Sequence, residues 1–125
     1  HVILTSNGTR ELSDALRRRC LYSYIDYPSE AQELQLIQLR LPSLGVKLAE
    51  QLVRFVQKIR RMQLRKVPGI AETLDWAEAL IGLKINSLDQ DLELLEHSLI
   101  CLLKHHEDVS ALNSITLEKM VSTVV

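Results

Sequence analysis

The sequence predicts a mainly α chain in which a two-strand remnant of an α/β core precedes a bundle of four to five helices. Three observations carry this. The run Val2-Ile3-Leu4-Thr5 is apolar without alternation, the pattern of a strand covered on both faces inside a parallel sheet. Leu21–Tyr27 is the only other convincing strand, so the first run is expected to have its remaining partners outside these residues. After Tyr27 every segment has helical spacing, punctuated by Ser, Gly and Pro. The expected division is therefore a core remnant over residues 1–28 and a helical domain over residues 29–125.

Between the two strand-like runs lies a polar segment. Asn7 follows directly on the carboxyl end of Val2–Ser6, the edge where open α/β sheets place ligands, and its carboxamide suits holding a water or a phosphate oxygen. The bland reading of the same residue is a turn, since Asn7-Gly8 is a strong turn signal. Thr9 or Ser13 is expected to cap a short helix running to about Arg19. Arg17, Arg18 and Arg19 would then oppose the negative pole of its dipole. Without further context these arginines read as a solvated basic turn.

Pro28-Ser29-Glu30-Ala31-Gln32 is a capping-box pattern that starts a helix to about Arg40, with Leu34, Ile37 and Leu41 on one face. Pro42 and Gly45 break it. A second helix spans roughly Lys47 to Gln63 and buries Ala49, Leu52, Val53, Val56 and Ile59. Arg54, Lys58, Arg61 and Arg65 form an opposite stripe that reads as a solvated face. Pro68-Gly69 precedes a third helix, about Glu72 to Ile81, which buries Leu74, Ala77, Leu80 and Ile81 and is expected to stop at Gly82. Trp76 in it reads as a core or interface anchor.

Ser87-Leu88-Asp89-Gln90 reads as another capping box opening a fourth helix with a seam of Leu88, Leu92, Leu95, Leu99 and Leu102. Its end, Lys104-His105-His106-Glu107-Asp108, reads as a solvated C-terminus rather than a metal site, because adjacent helical residues point about 100° apart. Ser114 is expected to cap a last helix from Ile115 to about Val124.

With 46% hydrophobic and 25% charged residues, the 125-residue chain has the composition of one ordinary globular domain. No apolar run approaches the roughly 20 residues needed to span a bilayer, and nothing at its start reads as a secretion signal. Cys20 and Cys101 lie far apart without metal-ligand spacing, which fits a reduced cytoplasmic protein. Charge is asymmetric: twelve Lys/Arg against six Asp/Glu give +6 over residues 1–66, and three against ten give −7 over the rest. Head-to-tail packing of copies would use that asymmetry. Few aromatics accompany the basic half, so nucleic acid is not an expected partner.

Thr5-Ser6-Asn7, then Leu12-Ser13-Asp14-Ala15-Leu16-Arg17-Arg18-Arg19-Cys20, then Ile25-Asp26-Tyr27-Pro28 resemble the second half of the ATPase core of AAA+ proteins, most closely the MoxR family. Pro68-Gly69-Ile70-Ala71-Glu72-Thr73-Leu74-Asp75-Trp76-Ala77 is similar to the same family's helical lid, so the likeness covers nearly the whole chain. The resemblance implies that Asn7 is the sensor-1 residue, which helps position the attacking water. It implies that Arg19 is the arginine finger acting on a neighbouring subunit's nucleotide, with Arg18 the second choice. The chain departs from the wider AAA+ pattern at Thr73, which occupies the position of the sensor-2 arginine; sensor 2 is then either missing or supplied elsewhere, with Arg65 and Lys66 the nearby cations, and no residue is assigned to it. ATP hydrolysis needs a phosphate-cradling Gly-rich loop with its Lys and acidic residues for Mg²⁺. The sequence contains neither GxxxxGK[ST] nor a strand ending in Asp-Glu, so these 125 residues are expected to be inactive alone and to be the C-terminal portion of an ATPase that holds ATP and Mg²⁺ through upstream residues. By the same resemblance the parent forms a ring, expected to be a hexamer. It couples hydrolysis to chaperone-like maturation or cofactor insertion in client proteins, with a von Willebrand factor A domain partner. The rival reading is a non-catalytic helical interaction module or a portion of a clamp-loader-like subunit.

Overall fold

A computed structural model describes residues 1–8 and 10–125. Its helices are α1 (Asp14–Arg19), α2 (Glu30–Arg40), α3 (Val46–Ile59), α4 (Ile70–Gly82), α5 (Leu92–Ser98), α6 (His106–Ala111) and α7 (Ser114–Val124), with a 3-10 turn at Leu99–Cys101 after α5. Helices α2 to α7 form the bundle: α3 packs on α2, α4 and α7, while α5 packs on α4 and α7. The chain is thus mainly helical, as expected.

The two-strand remnant is not present among the described residues. Val2–Ser6 and Leu21–Tyr27 belong to no ladder, and Val2, Ile3, Leu4, Leu21, Tyr22, Tyr24 and Ile25 are exposed. The reason is physical. A strand satisfies its backbone groups only through neighbours, and these two runs do not pair with each other. They form an arm that ends at Pro28.

The bundle follows the sequence more closely. At the start of α2, the Gln32 backbone N–H donates to Ser29 Oγ (3.3 Å) and the Ser29 N–H donates to Gln32 Oε1 (3.0 Å), completing the capping box. Ile37 is fully buried and Leu34 packs at the edge of the core. Helix α3 buries Ala49, Leu52, Val53, Val56 and Ile59 as the spacing predicts, together with Leu48 and Phe55. It ends at Ile59 rather than near Gln63, and residues 60 and 61 continue as a turn in which Arg61 N–H donates to Lys58 O (3.0 Å). The basic stripe is a solvated face, as expected: Arg54, Arg61 and Arg65 are exposed, with surface pairs from Arg54 to Glu30 (3.5 Å) and Arg65 to Glu107 (2.7 Å), and Lys58 Nζ donates to Thr123 Oγ1 on α7.

Helix α4 ends at Gly82, where the sequence places its stop, and the two residues that follow turn the chain away. Ile85 N–H donates to Leu80 O and Lys84 N–H to Ile81 O, both at 3.0 Å, with Lys84 itself in the left-handed region at φ 56°. This is a Schellman ending in which lysine takes the position glycine usually holds, and buried Ile85 sits beside buried Leu80. At the front of α4, Glu72 reaches back to accept the Gly69 N–H (3.0 Å). Partial burial raises the Glu72 pKa, but the backbone donors at Glu72 and Gly69 and the charges of Lys66 and Lys104 outweigh it and hold the carboxyl below its usual range.

Trp76 is fully buried, with its ring 5.2 Å from that of Phe55. Its Nε1–H donates to Ser98 Oγ (2.8 Å), and that hydroxyl donates to Leu95 O (2.7 Å). Ser98→Ala would leave the indole N–H buried without an acceptor. It is expected to cost about 1–3 kcal/mol in urea-induced unfolding.

The fourth predicted helix is divided. Asp91, not Ser87, caps α5, accepting the Leu94 N–H (2.9 Å). Ser87 and the Leu88 N–H instead bond the carboxamide of buried Gln51. The leucine seam is buried at Leu88, Leu95, Leu99 and Leu102, but after the 3-10 turn the chain breaks and α6 starts at His106. Lys104–Asp108 is therefore no helix C-terminus. Asp108 is buried and accepts the backbone N–H groups of Arg65 (2.8 Å) and Lys66 (3.0 Å). Asn113 rather than Ser114 caps α7, accepting the Thr116 N–H (2.9 Å). With α6 separate, the bundle has six helices where four to five were expected. Among the described residues no helix is long and apolar enough to cross a membrane.

Candidate functional site

The residues singled out in the sequence lie on the arm. Asn7 and Gly8 make the expected turn: Gly8 adopts φ 76° and its N–H donates to Ser6 Oγ (3.2 Å). A positive φ there costs a glycine nothing. Asn7 lines an open cavity of about 450 Å³ together with Thr5, Ser6, Arg10 and Leu12. Its walls are a carboxamide, two hydroxyls and one guanidinium, a donor set suited to an anionic oxygen.

Ser13 caps α1, accepting the Leu16 N–H (3.3 Å); the alternative cap, Thr9, lies outside the described residues. Arg17, Arg18 and Arg19 fill the last turn of α1, where cations oppose the dipole, and all three are exposed. They do not line the Asn7 cavity. No residue of α1 is buried. The arrangement therefore holds one polar cavity and, apart from it, a cluster of accessible guanidiniums. A cation presented this way is available to a group on another molecule or subunit.

Thr73, which the sequence resemblance sets at the position of a sensor-2 arginine, is an internal residue. It is fully buried, and its hydroxyl donates to Gly69 O (2.9 Å) and lies 3.2 Å from Glu33 Oε1. The two alternative cations are also engaged: Arg65 with Glu107, and Lys66 Nζ with Glu72 at 3.8 Å.

The charged residues that sequence reasoning missed are Glu33 and Arg60. The Glu33 side chain is 0% exposed and that of Arg60 6%. Arg60 Nη1 donates to Glu33 Oε2 (2.7 Å) and Nη2 to Oε1 (2.6 Å), a fork-on-fork pair, while Arg60 Nε donates to Pro68 O (2.9 Å). Gln57 Nε2 adds a third donor to the carboxylate at 2.9 Å. A signal was present: Glu33 stands one turn before Ile37, and Arg60 one turn after Val56, so each belongs to an apolar stripe.

Among the described residues no group of three or more His, Cys, Asp or Glu is placed to hold a metal ion, and both cysteines are free thiols. No protein-family model, curated protein or solved structure matches the chain.

Proposed function

We propose that this chain is the C-terminal portion of a MoxR-type AAA+ ATPase, with residues 1–28 completing the ATPase core and residues 29–125 forming the helical lid. The observation that carries the reading is the arm itself. Two apolar runs flank Asn7 and the arginine cluster, and their side chains stand in solvent, Ile3 at 88% and Ile25 at 89% exposure. Strands supplied by upstream residues would cover that surface and satisfy its backbone. In the assembled core the Asn7 carboxamide would orient the attacking water. Arg19, with Arg18 as the alternative, would reach the phosphates of a neighbouring subunit.

Positioning and charge stabilisation are the main tasks in phosphoryl transfer, and both residue types suit them. In this reading Mg²⁺ and ATP are held by the upstream part, since the sequence carries neither the Gly-rich phosphate loop with its Lys nor a strand ending in Asp-Glu. The working protein is a cytoplasmic ring, a hexamer by family likeness. It remodels or matures client proteins beside a von Willebrand factor A domain partner.

The test is ATP turnover by the longer protein. Its specific activity is expected to rise with concentration as rings assemble, and Asn7→Ala is expected to lower it about 10²- to 10³-fold, the usual loss for one preorganised dipole. Undiminished turnover in that variant, or turnover independent of assembly, would overturn the reading. The rival reading is a non-catalytic helical interaction module. It predicts no turnover at all, and a clamp-loader-like subunit would instead predict stimulation by DNA.

A further inference from the structure

A network of buried and half-buried side chains lies where the arm leaves the bundle. Arg60 is held on one side by Glu33 and Pro68, as described above. Its free face meets the Tyr27 ring, with Cζ 5.0 Å from the ring centroid. Gln57 Nε2 is shared between Glu33 Oε2 and the carbonyl of Pro28 (3.3 Å). The last two residues of the arm are thus gripped by the same two side chains that satisfy the buried carboxylate.

The geometry points to a joint: Arg60 and Gln57, fixed against Glu33, form a socket that seats Tyr27 and Pro28 and sets the direction in which the arm leaves the bundle. Three physical reasons support it. A guanidinium held by two bonds to a carboxylate and one to a carbonyl cannot turn, so its face is preorganised for the ring. A desolvated cation attracts an aromatic face more strongly than a hydrated one. Pro28 has its φ locked and biases Tyr27 toward extended backbone, so holding these two residues fixes the path of the chain before them.

Helix α4 reaches the same carboxylate through Thr73. The packing of α2, α3 and α4 is therefore read out at the root of the arm. This inference goes beyond the proposed function, since it requires neither nucleotide nor ring. Tyr27, Gln57 and Arg60 are positioning residues in it.

The experiment uses the full chain with Cys20→Ser and Cys101→Ser as background, and spin labels at Ile25→Cys on the arm and Glu118→Cys on α7. Pulsed electron–electron distance measurement is expected to give one narrow distribution. Tyr27→Leu, which leaves the Glu33–Arg60 pair intact, is expected to lower the ratio of seated to unseated arm about 2- to 30-fold and broaden the distribution. Gln57→Leu should broaden it as well, while Tyr27→Phe, which keeps the ring, should keep it narrow. The joint is overturned by a distribution already broad in the parent chain, or by one that stays narrow in both Tyr27→Leu and Gln57→Leu.

Discussion

Arg19→Ala, made in the ring-forming ATPase of which we propose this chain is a part, is expected to lower ATP turnover about 10³- to 10⁵-fold, the contribution of an arginine finger, with nucleotide affinity unchanged. Affinity survives because charge on the transferred phosphoryl group develops only on the way to the transition state, so a cation aimed there contributes to kcat. The side chain stands exposed at the end of α1, separate from the cavity that Asn7 lines, which is the placement a group acting across an interface requires. Arg18→Ala is the control, and the larger loss identifies the finger. Mixed rings give a second check. An Asn7→Ala subunit still carries Arg19, so mixing it with Arg19→Ala subunits should restore part of the activity neither variant has alone. Normal turnover in both Arg18→Ala and Arg19→Ala rings would remove the arginine cluster from the mechanism.

Glu33→Ala is expected to destabilise the bundle by about 3–5 kcal/mol, because Arg60 would remain buried with no counter-charge. Urea-induced unfolding followed by Trp76 fluorescence measures it. The double replacement Glu33→Met with Arg60→Leu should recover most of that loss, since two apolar groups of similar volume need no desolvation of ions. A double variant as unstable as the single one would mean that shape and the bonds to Pro68, Gln57 and Thr73 dominate, rather than the stranded charge.

The periodic parts of the fold were legible, and the reasons differ from element to element. Ser29 with Gln32 fixed the start of α2, and the spacing of Ala49, Leu52, Val53, Val56 and Ile59 fixed the inner face of α3, because caps and amphipathic stripes are local properties. Endings were less legible. The stop of α4 at Gly82 was marked, but the left-handed residue that closes it is Lys84 rather than a glycine, a position lysine rarely takes. The break before α6 depends on Asp108 reaching amides more than forty residues away in the chain, which no local window contains. The run Val2–Ser6, expected to be a strand covered on both faces, is instead exposed and unpaired: a strand is a statement about partners, and none are among the described residues.

At the candidate site, Asn7 and the arginines could be selected from residue type and order. The Glu33–Arg60 pair could not, because a charge on an apolar stripe looks like an error in the stripe until its counter-charge is found on another helix.

Asp108 has a mechanical implication. Its carboxylate clamps two consecutive main-chain amides just beyond α3, so α6 cannot swing away without stranding both donors, and the segment before α4 cannot loosen without uncovering a desolvated acid. Local fraying in the middle of the molecule is thereby suppressed, and a force applied at one face would be transmitted to the other by displacement of the whole body.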